Sequence, residues 1–280
     1  MSGANVWRVY RQWLRARRVS TLVWSLGLVA VVASTAVFYP SLKDLFRDMD
    51  VQSGGMAAVM GLNSGIDPST PLGFLWSNLY ANIVPWVLIA LGIALGSASI
   101  AGDEAAGTLE YLLSKPVRRS EVVLARWLAM VTIVAVVAVT SAIALLVVSP
   151  LVDLTSGATS ATGGAAPGVG LGNIVDGTVA SIAVGLGGGA IAFLIGAVNG
   201  RHSLATGVAA GYSVAGYLLY TLSSVSGEAR FLTWASPWRW YVEDAMFING
   251  LTWEVLLPMA LAVASLVAGL WLFQRRDLVG

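Results

Sequence analysis

Few residues in this sequence could do chemistry, and their spacing limits what that chemistry could be. His202 is the sole imidazole and cysteine is absent, which removes disulfides, thiol nucleophiles and cysteine metal sites, and leaves no basis for a histidine metal cluster. Ser213, within Gly-Tyr-Ser-Val-Ala at 211–215, has the look of a nucleophile setting. It stands 11 residues from His202 on what reads as one helix, about 16 Å at 1.5 Å per residue. The imidazole cannot reach its proton, so an intramembrane serine protease fails on geometry. A phosphate-binding Gly-x-x-x-x-Gly-Lys-Ser/Thr loop is missing as well. The only lysines, Lys43 and Lys115, follow Leu42 and Ser114. The chain is therefore expected not to be an enzyme, and any ATP chemistry must sit on a separate subunit.

What remains is a concentration of charge. Residues 101–127, AGDEAAGTLEYLLSKPVRRSEVVLARW, carry four acids and four bases, although only 11% of the chain is charged. Gly102 and Gly107 loosen the backbone, and Thr108 can cap a short helix with Leu109, Leu112 and Leu113 at i, i+3, i+4. Pro116 stops that helix by pushing Lys115 out of helical geometry. Ser120 and Glu121 then suit the start of the next helix. A ridge of three leucines is too small to build a core; it suits insertion into a groove on another protein. The plainer reading is a charged loop that only obeys the inside bias of basic residues. Arg126 opens an apolar run, where an unpaired arginine costs up to about 2.5–3.5 kcal/mol and less near the edge. Glu104 is the expected partner of Arg126 or of an N-terminal arginine, and Glu110 belongs to the same group of charges.

The elements that must position these residues are membrane spans. The chain is 57% hydrophobic with a mean hydropathy of +0.77, against about 45–50% apolar and about 25% charged for soluble domains. Six stretches are long enough to cross a bilayer: 19–38, 74–100, 127–148, 174–198, 204–222 and 255–273. The first follows five arginines but is longer than a signal-peptide core, so it reads as a retained span. Twelve basic residues fall on the side of the chain ends and loop 101–120, against four on the other. That bias makes both termini and the loop cytosolic.

Residues 6–18, VWRVYRQWLRARR, place Val6, Trp7, Val9, Tyr10, Trp13 and Leu14 on one face. Arg8, Arg11, Arg15 and Arg18 stripe the other, while Arg17 falls on the apolar side and must snorkel or find an acid. Tryptophan and tyrosine suit the headgroup layer and arginines attract anionic lipids, so the segment reads as an interfacial helix. It is a topology signal, a contact for a cytosolic partner, or both. A nucleic-acid site does not fit tryptophans that alternate with arginines toward a membrane.

Elsewhere, residues 155–172 read as a flexible outer linker. Leu42, Leu45, Phe46 and Met49 suggest a short separate helix on the outer surface. The aromatics between Phe231 and Trp253 suggest an outer re-entrant or interfacial helix pair at headgroup depth. Asn78, Asn82 and Pro85 either line a pathway or bond between helices. The Gly-x-x-x-Gly pairs Gly92/Gly96, Gly185/Gly189, Gly196/Gly200 and Gly207/Gly211 are expected to pack spans within the chain first and between chains second. An ion-coupled transporter or channel is the rival class, but the span interiors hold no Asp or Glu to carry a proton or cation.

Loop 101–127 resembles the first cytosolic loop of type-2 ABC transporter permeases. The resemblance rests on Glu104, Gly107, Thr108, Leu109, Leu112, Leu113, Ser114, Pro116, Val117, Arg119 and Arg126. The basic position entering the third span is arginine here, where lysine is the more usual residue. The likeness extends to the N-terminal helix, the six-span layout, SPWRWYVEDAMFINGL at 236–251 and QRRDL at 274–278. It implies an all-α exporter-type transmembrane domain spanning residues 1–280, in a bacterial-type plasma membrane. By that likeness, 101–120 is a coupling loop docking on an ATP-binding-cassette subunit through Thr108, Leu109, Leu112, Leu113, Pro116 and Arg119. It also implies that ATP and Mg bind the partner, that this chain holds no cofactor, and that a second permease, a copy or a paralogue, completes the pathway. Metal insertion and assembly roles also occur on similar scaffolds, and no residue here identifies a cargo.

Overall fold

The computed structural model describes residues 3–48, 66–105, 107, 117–160, 164–226 and 230–275. Six helices in it are long and apolar enough to cross a membrane: Arg18–Phe46, Pro71–Gly102, Arg119–Val152, Leu171–Asn199, His202–Ser226 and Trp253–Arg275. They coincide with the six apolar stretches of the sequence and are numbered here as spans one to six. The fold class is all-α, with one minimal strand pair among the described residues.

The second and fourth spans form the centre, and glycine decides how closely they meet. A Cβ at Gly92 would land on the carbonyl oxygen of Gly185, and one at Gly96 on that of Gly189. From the other side, a Cβ at Gly189 would sit 2.9 Å from the Gly92 oxygen and 3.0 Å from Met130 Sδ of the third span. Two of the four small-residue motifs thus face each other across one interface. In lipid, where burying apolar side chains gains little, such backbone contact supplies the attraction. Phe193 extends this core by meeting Trp127 of the third span at 5.0 Å and the Gly269 surface of the sixth.

The second span starts at Pro71, with Thr70 as its cap through a 3.2 Å bond from the Gly73 amide. It then widens into a π-helix at Trp76–Ile83 and again at Ala98–Gly102. Asn78 and Asn82 belong to the first of these turns. Their side-chain amides donate to the carbonyls of Phe74 and Ser77, both at 3.0 Å, so they satisfy their own helix rather than a neighbouring one.

Three sequence expectations are corrected. The helix of the first span runs without a break over Arg18–Asp48, so no separate surface helix forms around Leu42, Leu45 and Phe46; Met49 lies outside the described residues. Pro40 costs one backbone hydrogen bond. Tyr39 and Phe46 hold the helix by packing on Phe74, at 5.2 and 5.9 Å, and Tyr39 Oη donates to the Ser69 carbonyl.

The described part of 155–172 is folded rather than a free linker. Ala158–Thr159 pairs antiparallel with Ala165–Ala166, and the Val169 amide donates to the Leu154 carbonyl at 2.8 Å. Gly168 allows this, because a side chain there would strike the Thr155 carbonyl.

The aromatics of 231–253 divide between two environments. Trp238, Tyr241 and Phe247 are protein core, while Phe231, Trp234 and Trp253 are exposed. Trp238 donates to the Ser213 carbonyl at 3.1 Å and packs against Trp86 and Tyr217. An indole that must be both paired and buried finds its partner inside the bundle. Burial pushes the Tyr241 phenol up, opposed in part by its 2.9 Å bond with Ser181, so it serves as a neutral hydrogen-bonding group.

Candidate docking face

The N-terminal helix and the last turns of the sixth span meet the residues that leave loop 101–120. The loop's central residues, including Thr108, Leu109, Glu110, Leu112, Leu113 and Pro116, lie outside the described residues. Before them, Glu104 is half-buried in the short turn Asp103–Ala105 that follows the second span, and Gly107 turns the chain at φ 66°. After them, the third span begins at Arg119, and Glu121 accepts the Arg118 amide at 3.1 Å. The helix starts close to the Ser120–Glu121 position that the sequence suggests, with Arg118 at the cap and Glu121 as the capping acid.

Glu121 is also where the loop meets the N-terminal helix, Gly3–Ala16. Its carboxylate, 1% exposed as a residue, accepts a 3.3 Å hydrogen bond from Asn5 Nδ2. Next along the helix, Val9 packs with Val122 and Ala125, and Val6 and Val117 cover that cluster. Tyr10 Oη lies 3.0 Å from Thr132 Oγ1. Trp13 is buried with two guanidinium groups at its ring, Arg17 at 4.5 Å and Arg126 at 5.4 Å. Most of the expected membrane-facing stripe, Val6, Val9, Tyr10 and Trp13, is therefore spent on the third span; Trp7 remains exposed, stacked on Tyr10 at 5.2 Å. Arg17 resolves its place on the apolar side through the tryptophan ring rather than by snorkelling. Arg126 is buried and shares that ring.

The sixth span joins the same assembly, since the Arg119 guanidinium lies 5.9 Å from the Phe273 ring. His202, which opens the fifth span, places Nε2 3.4 Å from Ser97 Oγ and packs beside Gly102. Ser213 donates to the Ala209 carbonyl of its own helix at 2.9 Å. Asn5, Thr132 and the contact made by Phe273 escaped the sequence reading, as did the partner of Val9, because each meets its partner more than a hundred residues away, where no periodicity links them. Glu121 carried a local signal, its position at the helix start.

The opposite end holds a charge cluster that the sequence reading treated only as outer-face charge. Arg239 Nη1 lies 3.6 Å from Glu243 and Nη2 lies 3.8 Å from Glu254, with the guanidinium 4.0 Å over the Trp234 ring. Tyr220 of the fifth span donates to Glu243 at 3.2 Å, and exposed Arg230 reaches the same carboxylate at 3.5 Å. Glu254, 5% exposed, opens the sixth span. Arg239 thus ties the 230–250 segment to the sixth span, and Glu243 carries the link on to Tyr220 of the fifth. Among the described residues, no group of His, Asp and Glu could hold a metal ion.

The model of one family, the ABC-2 family transporter proteins, matches residues 7–278. No curated protein matches the chain.

Proposed function

The chain belongs to the ABC-2 transporter family and is a multi-pass membrane permease; from that premise we propose that it forms half of an ATP-driven export pathway and is worked by a separate ATP-binding-cassette subunit seated on loop 101–120. One observation carries this reading. The turn that leaves the loop is bound at once to the N-terminal helix through Asn5 and Glu121, and to the sixth span through Arg119 and Phe273. A push on the loop therefore loads three helices together, which suits a part that receives force.

In this reading Leu109, Leu112 and Leu113 enter a groove on the ATPase, Thr108, Pro116 and Arg119 shape and orient that ridge, and Glu104, Glu110 and Arg126 tie it electrostatically to the spans. ATP and Mg stay on the partner. The basic bias places both termini and the loop in the cytosol of a plasma membrane, with Trp7, Tyr10 and Arg8, Arg11 and Arg15 at the headgroup layer beside the docked Trp13. A second permease, identical or paralogous, supplies the other half of the pathway. A Cβ added at Gly207 or Gly211 of the fifth span would meet nothing within 4 Å among the described residues, so close approach of another helix costs little there.

The test is co-purification with the ATP-binding subunit. Leu109→Asp, Leu112→Asp and Leu113→Asp together are expected to cut the recovered ATPase at least about tenfold, the loss of burying three leucines, while the permease still inserts and purifies. Undiminished recovery would sink the docking assignment. Cargo movement by the purified chain alone, driven by an ion gradient, would favour the ion-coupled alternative. In the assembled complex, Glu104→Gln is expected to lower transport-linked ATPase activity without releasing the subunit; unchanged activity would remove Glu104 from the coupling role.

A further inference from the structure

We propose that the exposed arginine ladder of the N-terminal helix is a binding site for anionic phospholipid headgroups, and that its occupancy strengthens coupling at loop 101–120. The inference rests on the reading above that this end of the bundle is cytosolic. Arg8, Arg11, Arg15 and Arg18 follow one another at three- and four-residue steps, and all four are exposed. Neighbours at those steps lie about 5–6 Å apart on a helix. Among the described residues none of the four forms an ion pair, and the first acid in the sequence is Asp44. The ladder is thus a row of positive charge without internal compensation, complementary to a row of phosphates.

Two features favour a lipid surface over an acidic protein segment. Only Arg17 separates the helix Gly3–Ala16 from the membrane-spanning helix Arg18–Asp48. Trp7, 57% exposed and stacked on Tyr10, stands beside the ladder with Arg11 5.8 Å from its ring, which pairs an interfacial aromatic with a phosphate-binding cation.

The regulatory consequence follows from where the helix is bolted. Its other face grips the third span through Asn5–Glu121, Val9–Val122, Tyr10–Thr132 and Trp13–Arg126. Glu121 in turn holds the amide of Arg118, the residue that leaves the loop. A helix pinned by headgroups gives that turn a fixed support against which the ATPase can push.

The experiment compares the full chain with an Arg8→Gln/Arg11→Gln/Arg15→Gln variant, whose changes fall on exposed side chains. Binding of phosphatidylglycerol and phosphatidylcholine is titrated by native mass spectrometry. The wild-type chain is expected to prefer phosphatidylglycerol, and the variant to lose about a hundredfold in that affinity at roughly fivefold per arginine. Lys43→Gln is expected to change nothing. Equal affinity in wild type and variant would overturn the site, as would competition by polyglutamate but not by phosphatidylglycerol, which would assign the ladder to an acidic protein. Displacement by inorganic phosphate at equal concentration would show a free-anion site instead and also overturn it. For regulation, ATPase activity of the complex in phosphatidylcholine vesicles should rise when phosphatidylglycerol is added, in wild type only; the same rise in the variant would overturn that half. Labelling Ala4→Cys with an impermeant maleimide tests the orientation separately, since the chain has no other cysteine. An outward label would sink the cytosolic reading while leaving the lipid affinities to stand or fall alone.

Discussion

Valine at Gly92 is expected to eliminate the folded chain from detergent extracts, or to leave a form that melts far below wild type. The physical reason is that the obstacle is backbone. A Cβ at position 92 would occupy the place of the Gly185 carbonyl oxygen, and the facing residue is already glycine, so no side chain can shrink in response. Overpacking a core costs about 1–3 kcal/mol when side chains can shift; here two central helices must separate, and the cost should exceed that range. Gly96→Val is expected to behave alike, because its Cβ would meet the Gly189 carbonyl. The informative control is Gly27→Val, where an added Cβ meets nothing within 4 Å among the described residues and the expected change is within about 0.5 kcal/mol. Size-exclusion profiles and tryptophan-monitored melting of the three variants decide the matter. If Gly92→Val melted with wild type, the second and fourth spans would not be in backbone contact.

Arg239→Ala carries the second large effect. Its side chain is 15% exposed and lies between the carboxylates of Glu243 and Glu254, against the Trp234 ring. Glu254 is buried, and its Oε2, like Arg239 Nε, has no hydrogen-bond partner among the described residues. The pair is held by charge and stacking more than by directed hydrogen bonds. Removing one member of a buried ion pair typically costs about 3–5 kcal/mol, because the other charge is left without compensation. Adding Glu254→Gln to Arg239→Ala should recover part of that loss, since it removes the stranded charge; coupling of about 0.5–3 kcal/mol between contacting residues is the expected scale. Arg239→Lys should rescue only partly, as lysine restores charge but not the planar contact with Trp234. Melting curves of the four proteins form the test. A single variant within about 1 kcal/mol of wild type would show a solvated cluster, and a double variant no better than the single would show that Glu254 is not the stranded group.

The residues that were legible in sequence and those that were not differ in one respect. Glu121 could be found because a capping acid acts on a backbone amide three residues away, and the lipid-length helices because hydropathy accumulates along the chain. Trp13 could be placed on an apolar helix face, but not on Arg126, since 113 positions separate them. The glycine motifs were visible as motifs; which of them faced another was not. Leu42 and Phe46 showed helical spacing, yet spacing cannot say whether a helix is new or the continuation of the last one past Pro40.

By itself the sequence determined six membrane-length helices, the side on which basic residues gather, the lack of any phosphate loop or thiol, and a short leucine ridge framed by charge. All of these depend on neighbours within a few turns, or on composition alone. Tertiary structure decided that Gly92 and Gly96 meet Gly185 and Gly189, that the N-terminal helix spends one face on the third span and exposes its arginines on the other, and that Arg239 ties the 230–250 segment to the sixth span. Those are contacts between distant segments. They follow from how closely helix axes can approach and at what angle, which the complete set of packed side chains fixes and no local pattern encodes.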